Sequence, residues 1–100
     1  MSDVEIISRL GPIIRSKRSF WVEGNYLRKG ENVHWECFVK LMDKTVKVGF
    51  DEYLEKYEDS IDLYNSYVRK EFPAVEEALS FILNSFPCVA DKIENEKNKI

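Results

Sequence analysis

Between residues 33 and 42 the chain alternates strictly. Val33, Trp35, Cys37, Val39 and Leu41 are apolar, and His34, Glu36, Phe38, Lys40 and Met42 fall between them. A period of two sends successive side chains to opposite faces of a strand, so this stretch predicts a strand with one face in a core. The same period opens upstream, where Phe20, Val22 and Tyr26 alternate with Trp21, Glu23, Asn25 and Leu27. Gly24 interrupts that run and reads as a bulge. The polar stretch Arg28-Lys29-Gly30-Glu31-Asn32 predicts a hairpin loop between the two strands. Asp43-Lys44 predicts a tight turn, after which Val46, Val48 and Phe50 mark a third strand. Loops this short between successive strands imply an antiparallel meander.

Elsewhere the period is helical. Ser2 and Glu5 have the spacing of a capping box, in which side chains satisfy the free amides of a first turn. Ile6, Ile7 and Leu10 then share a face, and Gly11-Pro12 reads as a stop, with a second short turn from Pro12 carrying Ile13 and Ile14. Asp51 predicts the cap of another helix, its inner face built from Tyr53 or Leu54, Tyr57, Ile61, Tyr64 and Val68, with Asp59 or Ser60 as a cap where it splits. Ile61, Leu63 and Tyr67 also alternate, so a fourth strand over 61–68 is the competing reading. After Phe72-Pro73, the stripe Val75, Ala78, Leu79, Ile82, Leu83 and Phe86 predicts the strongest helix, ended by Pro87. From Asp91 to Lys99 only Ile93 is apolar, which predicts a frayed helix or loose tail.

The expected fold is therefore α+β. An N-terminal helix precedes a three-stranded antiparallel meander, four-stranded if 61–68 pairs, with C-terminal helices packed on one sheet face. The strand face Val33–Leu41 should meet the Val75–Phe86 stripe and the Tyr57/Ile61 face. One domain spans 1–90, and 91–100 forms a charged tail. Such a sheet has two free edges, so a homodimer through an edge or an uncovered face is expected.

Composition narrows the class. The chain has 100 residues, 44% hydrophobic and 13% aromatic, enough for one core and too short for two. A net charge of −3 argues against a general nucleic-acid or anionic-membrane binder. The start Met1-Ser2-Asp3-Val4-Glu5 has no basic leader and no apolar run after it, so no signal peptide or membrane span is expected. Cys37 and Cys88 are unspaced and read as reduced thiols of a cytoplasmic protein.

Chemistry is hard to find. His34 is the only histidine, and the odd separation from Cys37 puts the two on opposite faces of their strand. No C-x-x-C or H-x-x-x-H occurs, residues 51–62 lack the order of a calcium loop, and the glycines are scattered. No catalytic residue, cofactor or metal is expected. His34, Glu36 and Lys40 share a strand face, which reads most simply as the solvated side of a half-covered sheet.

Charge placement says more. Residues 9–29 hold Arg9, Arg15, Lys17, Arg18, Arg28 and Lys29 against Glu23 alone, while 51–62 hold Asp51, Glu52, Glu55, Glu58, Asp59 and Asp62 against Lys56 alone. Tyr53, Tyr57, Tyr64 and Tyr67 interleave with or follow the acidic run. As a recognition surface, dense carboxylates steer a basic partner and tyrosines supply contact area. The expected function is a non-enzymatic protein-binding domain, with Asp51, Glu52, Glu55, Tyr57, Glu58, Asp59 and Asp62 as its partner-binding residues. Small acidic nuclease inhibitors, bacterial immunity proteins among them, use this physics; the parallel is one of size and charge, with no motif of theirs in the chain. The alternatives are a single-stranded nucleic-acid-binding or regulatory domain using 9–29, and a small ligand-binding domain or enzyme with its site near His34.

Overall fold

The computed structural model describes residues 2–96. Its elements in chain order are helix α1 (Asp3–Lys17), strands β1 (Ser19–Arg28), β2 (Glu31–Leu41), β3 (Val46–Leu54) and β4 (Ser66–Phe72), and helices α2 (Val75–Ser85) and α3 (Pro87–Asn95). The strands form one antiparallel sheet in the order β1-β2-β3-β4. The expected α+β architecture is present with a fourth strand, which lies at Ser66–Phe72 and overlaps the alternation at 61–68 only over its last three residues, Ile61–Leu63 being a 3-10 turn.

One sheet face carries the core. Val22, Trp35, Cys37, Val39, Val48 and Phe50 meet Ile6, Leu10 and Ile14 of α1, the α2 stripe from Val75 to Leu83, and Val89 and Ile93 of α3. The β2 alternation thus buries the odd positions against the predicted α2 stripe. The Tyr57/Ile61 face does not join them, and Ile61 is 55% exposed.

Four local expectations are corrected. α1 runs through Gly11-Pro12 without a break, although an internal proline removes one helical bond and costs about 3 kcal/mol. Ile6, Leu10 and Ile14 recur every four residues and are fully buried, so packing of that stripe outweighs the break. Its start follows the capping reading, with the Ser2 hydroxyl accepting from the Glu5 amide at 3.2 Å. At the other end Arg18 takes the left-handed conformation (φ 66°).

Gly24 marks no bulge, since β1 pairs with β2 without a slip from Ser19↔Lys40 to Arg28↔Glu31. A Cβ there would lie 2.7 Å from the Trp35 ring, so the glycine makes room for the indole.

Asp51 begins no helix. β3 continues through it to Leu54, paired residue by residue with β2, and two single 3-10 turns, Glu55–Tyr57 and Ile61–Leu63, lead into β4. Extending an existing ladder adds a bond per residue, whereas a new helix must first be nucleated. Finally, residues 91–95 are no loose tail. They are the second half of α3, which Pro87 opens as its first residue and Ile93, 2% exposed, anchors in the core. Residues 97–100 lie outside the described residues.

Candidate functional site

All three helices pack on one face of the sheet, and the other face is the place to look for a site. Its side chains come from the odd positions of β1 and β3 and the even positions of β2, and the register sorts them into rows. Trp21, Phe38, Gly49 and Arg69 make one row. Glu23, Glu36, Asp51 and Tyr67 make the next, followed by Asn25, His34 and Tyr53.

The first row is a stacked one. The Trp21 and Phe38 rings lie 8° from parallel with centroids 6.4 Å apart, and the Arg69 guanidinium sits 5.1 Å from the Phe38 centroid and 4.2 Å from that of Tyr67. Phe38 lies flat over Gly49, where a Cβ would come within 2.1 Å of the ring. Arg69 also donates to both oxygens of Asp51, at 2.8 and 3.2 Å, which holds its guanidinium even further up than usual.

The carboxylate row borders a concavity of about 330 Å³. Glu23 and Glu36 line it from the sheet, His34 and Tyr53 form its floor, and Glu55 and Glu58 close it from the segment after β3. Tyr53, on the face opposite the core, is nonetheless buried, because Tyr64 stacks on it at 4.4 Å. The Tyr64 hydroxyl donates to the Glu58 carbonyl at 2.6 Å, which ties the segment down over the sheet. Burial, with Glu36 beside it, pushes the Tyr53 hydroxyl well above the ordinary tyrosine range.

His34 has a neighbour at each ring nitrogen. Its Nδ1 lies 2.8 Å from Asn25 Oδ1, an acceptor, so Nδ1 carries a hydrogen. Nε2 then points at carboxylates, 3.4 Å from Glu36 Oε1 and 3.9 Å from Glu23 Oε2. The Trp21 indole donates to Glu23 at 3.1 Å, and the Tyr53 hydroxyl reaches Glu36 at 3.4 Å. Glu23, His34 and Glu36 could between them hold a metal ion, with one ligand atom from each lying within 4.8 Å of the others. Sequence reading missed this grouping, because Glu23 belongs to another strand and only the β1–β2 register brings it opposite Glu36.

The expected partner-binding residues are dispersed. Glu55 and Glu58 line the concavity. Asp51 is beside it but committed to Arg69. Glu52 points to the helix face, accepting from the Tyr26 hydroxyl at 2.7 Å and from Arg28 at 3.2 Å. That environment, by burial first and Glu52 second, raises the Tyr26 hydroxyl to about 12. Tyr57 carries Lys56 over its ring, and Asp59 and Asp62 face a separate depression with Ser60, Ile61 and Leu63. The basic segment disperses too, with Arg15 paired to Glu76 of α2 and Arg28 to Glu52.

Cys37 and Cys88 are free thiols, and burial pushes Cys37 up to about 12. Among the described residues no helix is long and apolar enough to cross a membrane. Comparison with known protein families, with curated proteins and with solved structures finds no match to this chain.

Proposed function

We propose that this domain is a non-enzymatic protein-binding module that engages a basic partner through the acidic concavity of its open sheet face. One observation carries the reading: Glu23, Glu36, Glu55 and Glu58 surround a single concavity, and none of its lining residues is a lysine or arginine. An exposed ion pair alone contributes about 0.2–1 kcal/mol. Four carboxylates converging on one concave point create a field that steers cations and raises association rates. Trp21, exposed and hydrogen-bonded to Glu23, adds amphipathic area beside it, so a partner's arginine would find both carboxylates and an aromatic ring.

The partner-binding set therefore centres on Glu55 and Glu58 of the acidic segment, joined by Glu23 and Glu36, with Trp21 at its border. An inhibitor that plugs a basic active site is one form such a module takes, and the small size and net charge of −3 suit it. Free thiols suit the reducing cytoplasm. A homodimer through a free sheet edge is compatible with all of this.

The stacked row Trp21–Phe38–Arg69 favours a second reading, a platform for unpaired bases. The adjacent carboxylates repel phosphates, and Arg15 and Arg28 are already paired, so it ranks lower. A ligand site or enzyme at His34 ranks third, since both ring nitrogens already face partners within the fold, Asn25 and Glu36.

Chemical-shift mapping with a short arginine-rich peptide tests the first reading. Shifts should centre on the amides of His34, Glu36, Tyr53 and Glu58. A response centred on Lys40, Lys47 and Trp21 with a single-stranded oligonucleotide, and none with the peptide, would favour the second.

A further inference from the structure

The two edges of the sheet are unequal. β4 is seven residues long, carries Arg69, Lys70 and Glu71, and is followed by Pro73, all features that blunt an edge. β1 has ten residues, with charges only at Glu23 and its last residue, Arg28. Among the described residues no strand pairs with its outer side. Its exposed side chains include Trp21, 55% exposed, and Leu27, 74% exposed.

The ladder tells which β1 residues are free to pair. The Leu41 amide donates to the Arg18 carbonyl at 2.8 Å, and the β1–β2 register continues from there without a slip. Main-chain bonds alternate along an antiparallel strand. Even residues of β1 therefore bond to β2, and Trp21, Glu23, Asn25 and Leu27 direct their amides and carbonyls outward.

We infer that β1 pairs with β1 of a second copy about a two-fold axis at Gly24, joining the two sheets into one. Trp21 and Leu27 are each three residues from Gly24. In this register Trp21 lies opposite Leu27 of the second copy, and the symmetry makes that contact twice. Glu23 lies opposite Asn25, and on the helix side Val22 lies opposite Tyr26. Every outward-facing residue meets another outward-facing one, as bonded antiparallel pairs require. The register shifted by one step toward the N-terminus of the strand sets Glu23 against Glu23, and like charges directly opposed destabilise. The electrostatic costs of the Gly24 register lie at its ends, where Lys17 and Arg18 approach Lys29 of the second copy, and near its centre, where the two Glu23 side chains are diagonal neighbours.

The pairing also changes the acidic site. Glu23 and Asn25 line the concavity and stand at the dimer seam, so each site gains Asn25 and Glu23 of the other copy along its border. That consequence rests on the basic-partner reading; the dimer itself does not.

Sedimentation of the full chain up to roughly 100 µM should show twice the chain mass. Salt should strengthen this dimer, whereas it weakens binding of a basic partner. Leu27→Lys should weaken self-association at least about tenfold while leaving the melting temperature unchanged at concentrations low enough for both proteins to be monomeric, because the side chain is exposed. In a Cys88→Ser background, Glu23→Cys protein mixed with Asn25→Cys protein should form a disulfide far faster than either alone, since opposed residues lie about 5.5 Å apart. A monomer at every concentration would overturn the proposal. So would a dimer indifferent to Leu27→Lys, or equal cross-linking by the single variants.

Discussion

His34 Nε2 lies 3.4 Å from the Glu36 carboxylate, two residues along the same strand, while its Nδ1 is engaged by Asn25 of the neighbouring strand. The ring is thereby fixed in the floor of an acidic concavity, with its Nε2 edge turned to Glu36 and Glu23. His34→Gln keeps a side chain able to bond Asn25 and should leave the affinity for an arginine-rich peptide within about threefold, a difference near 0.6 kcal/mol. A peptide titration checks this, and loss of binding would instead assign the imidazole a direct role.

Gly49 exists for Phe38. A methyl group at Gly49 would enter the Phe38 ring, so Gly49→Ala should destabilise the fold by roughly 1–3 kcal/mol. Phe38→Leu in the same chain should recover part of that loss, and a double-mutant cycle in urea measures the coupling.

Core and excursion should respond very differently to truncation. Leu79 is 1% exposed and Ile61 55%. Leu79→Ala should cost about 2–5 kcal/mol, and Ile61→Ala within about 0.5 kcal/mol. A cost at Ile61 comparable to that at Leu79 would restore the inward-facing helix that periodicity suggested for this segment.

Alkali should unfold the domain through groups that the fold holds in their neutral forms, Cys37 buried and Tyr26 partly buried. Cys37 is raised from 9.0 to about 12 and Tyr26 from 10.0 to about 12, both by burial first. The unfolded chain thus releases these protons at lower pH than the folded one. Stability from Cys37 is complete below pH 9 and falls as pH rises toward 12; that from Tyr26 begins to fall near 10. Urea titrations from pH 8 to 11 should show the decline, and Cys37→Val should move its onset upward by about one pH unit.

Much of the fold was legible in the chain. The alternation over Val33–Leu41 and the Val75–Leu83 stripe were readable because each is long and obeys one period, and these two faces supply eight of the seventeen residues of the core cluster. Failures came where local signals opposed long-range packing. Pro12 looked like a stop because the burial of Ile6, Leu10 and Ile14 cannot be weighed from a dipeptide. Asp51 looked like a cap because the ladder that carries β3 past it depends on β2, fifteen residues upstream at Glu36.

The site was legible only in its charge. Glu55 and Glu58 stood out as part of an acidic run, and they do line the concavity. In the sequence Glu23 is the lone acid of a basic stretch, and Glu36 belongs to the polar side of an alternating strand. Strand register turns these four scattered carboxylates into neighbours, and register is a property of paired strands rather than of any window of sequence.

The most direct measurement is the anisotropy of a labelled arginine-rich peptide, titrated with two charge-reversed variants across a range of salt. Glu55→Lys/Glu58→Lys and Asp59→Lys/Asp62→Lys change net charge equally, but only the first pair faces the concavity. If the concavity is the binding site, the first variant should lose at least about tenfold in affinity and the second less than about threefold, with the wild-type affinity falling as salt rises. Equal losses in both variants, or binding indifferent to salt, would contradict a site at the concavity.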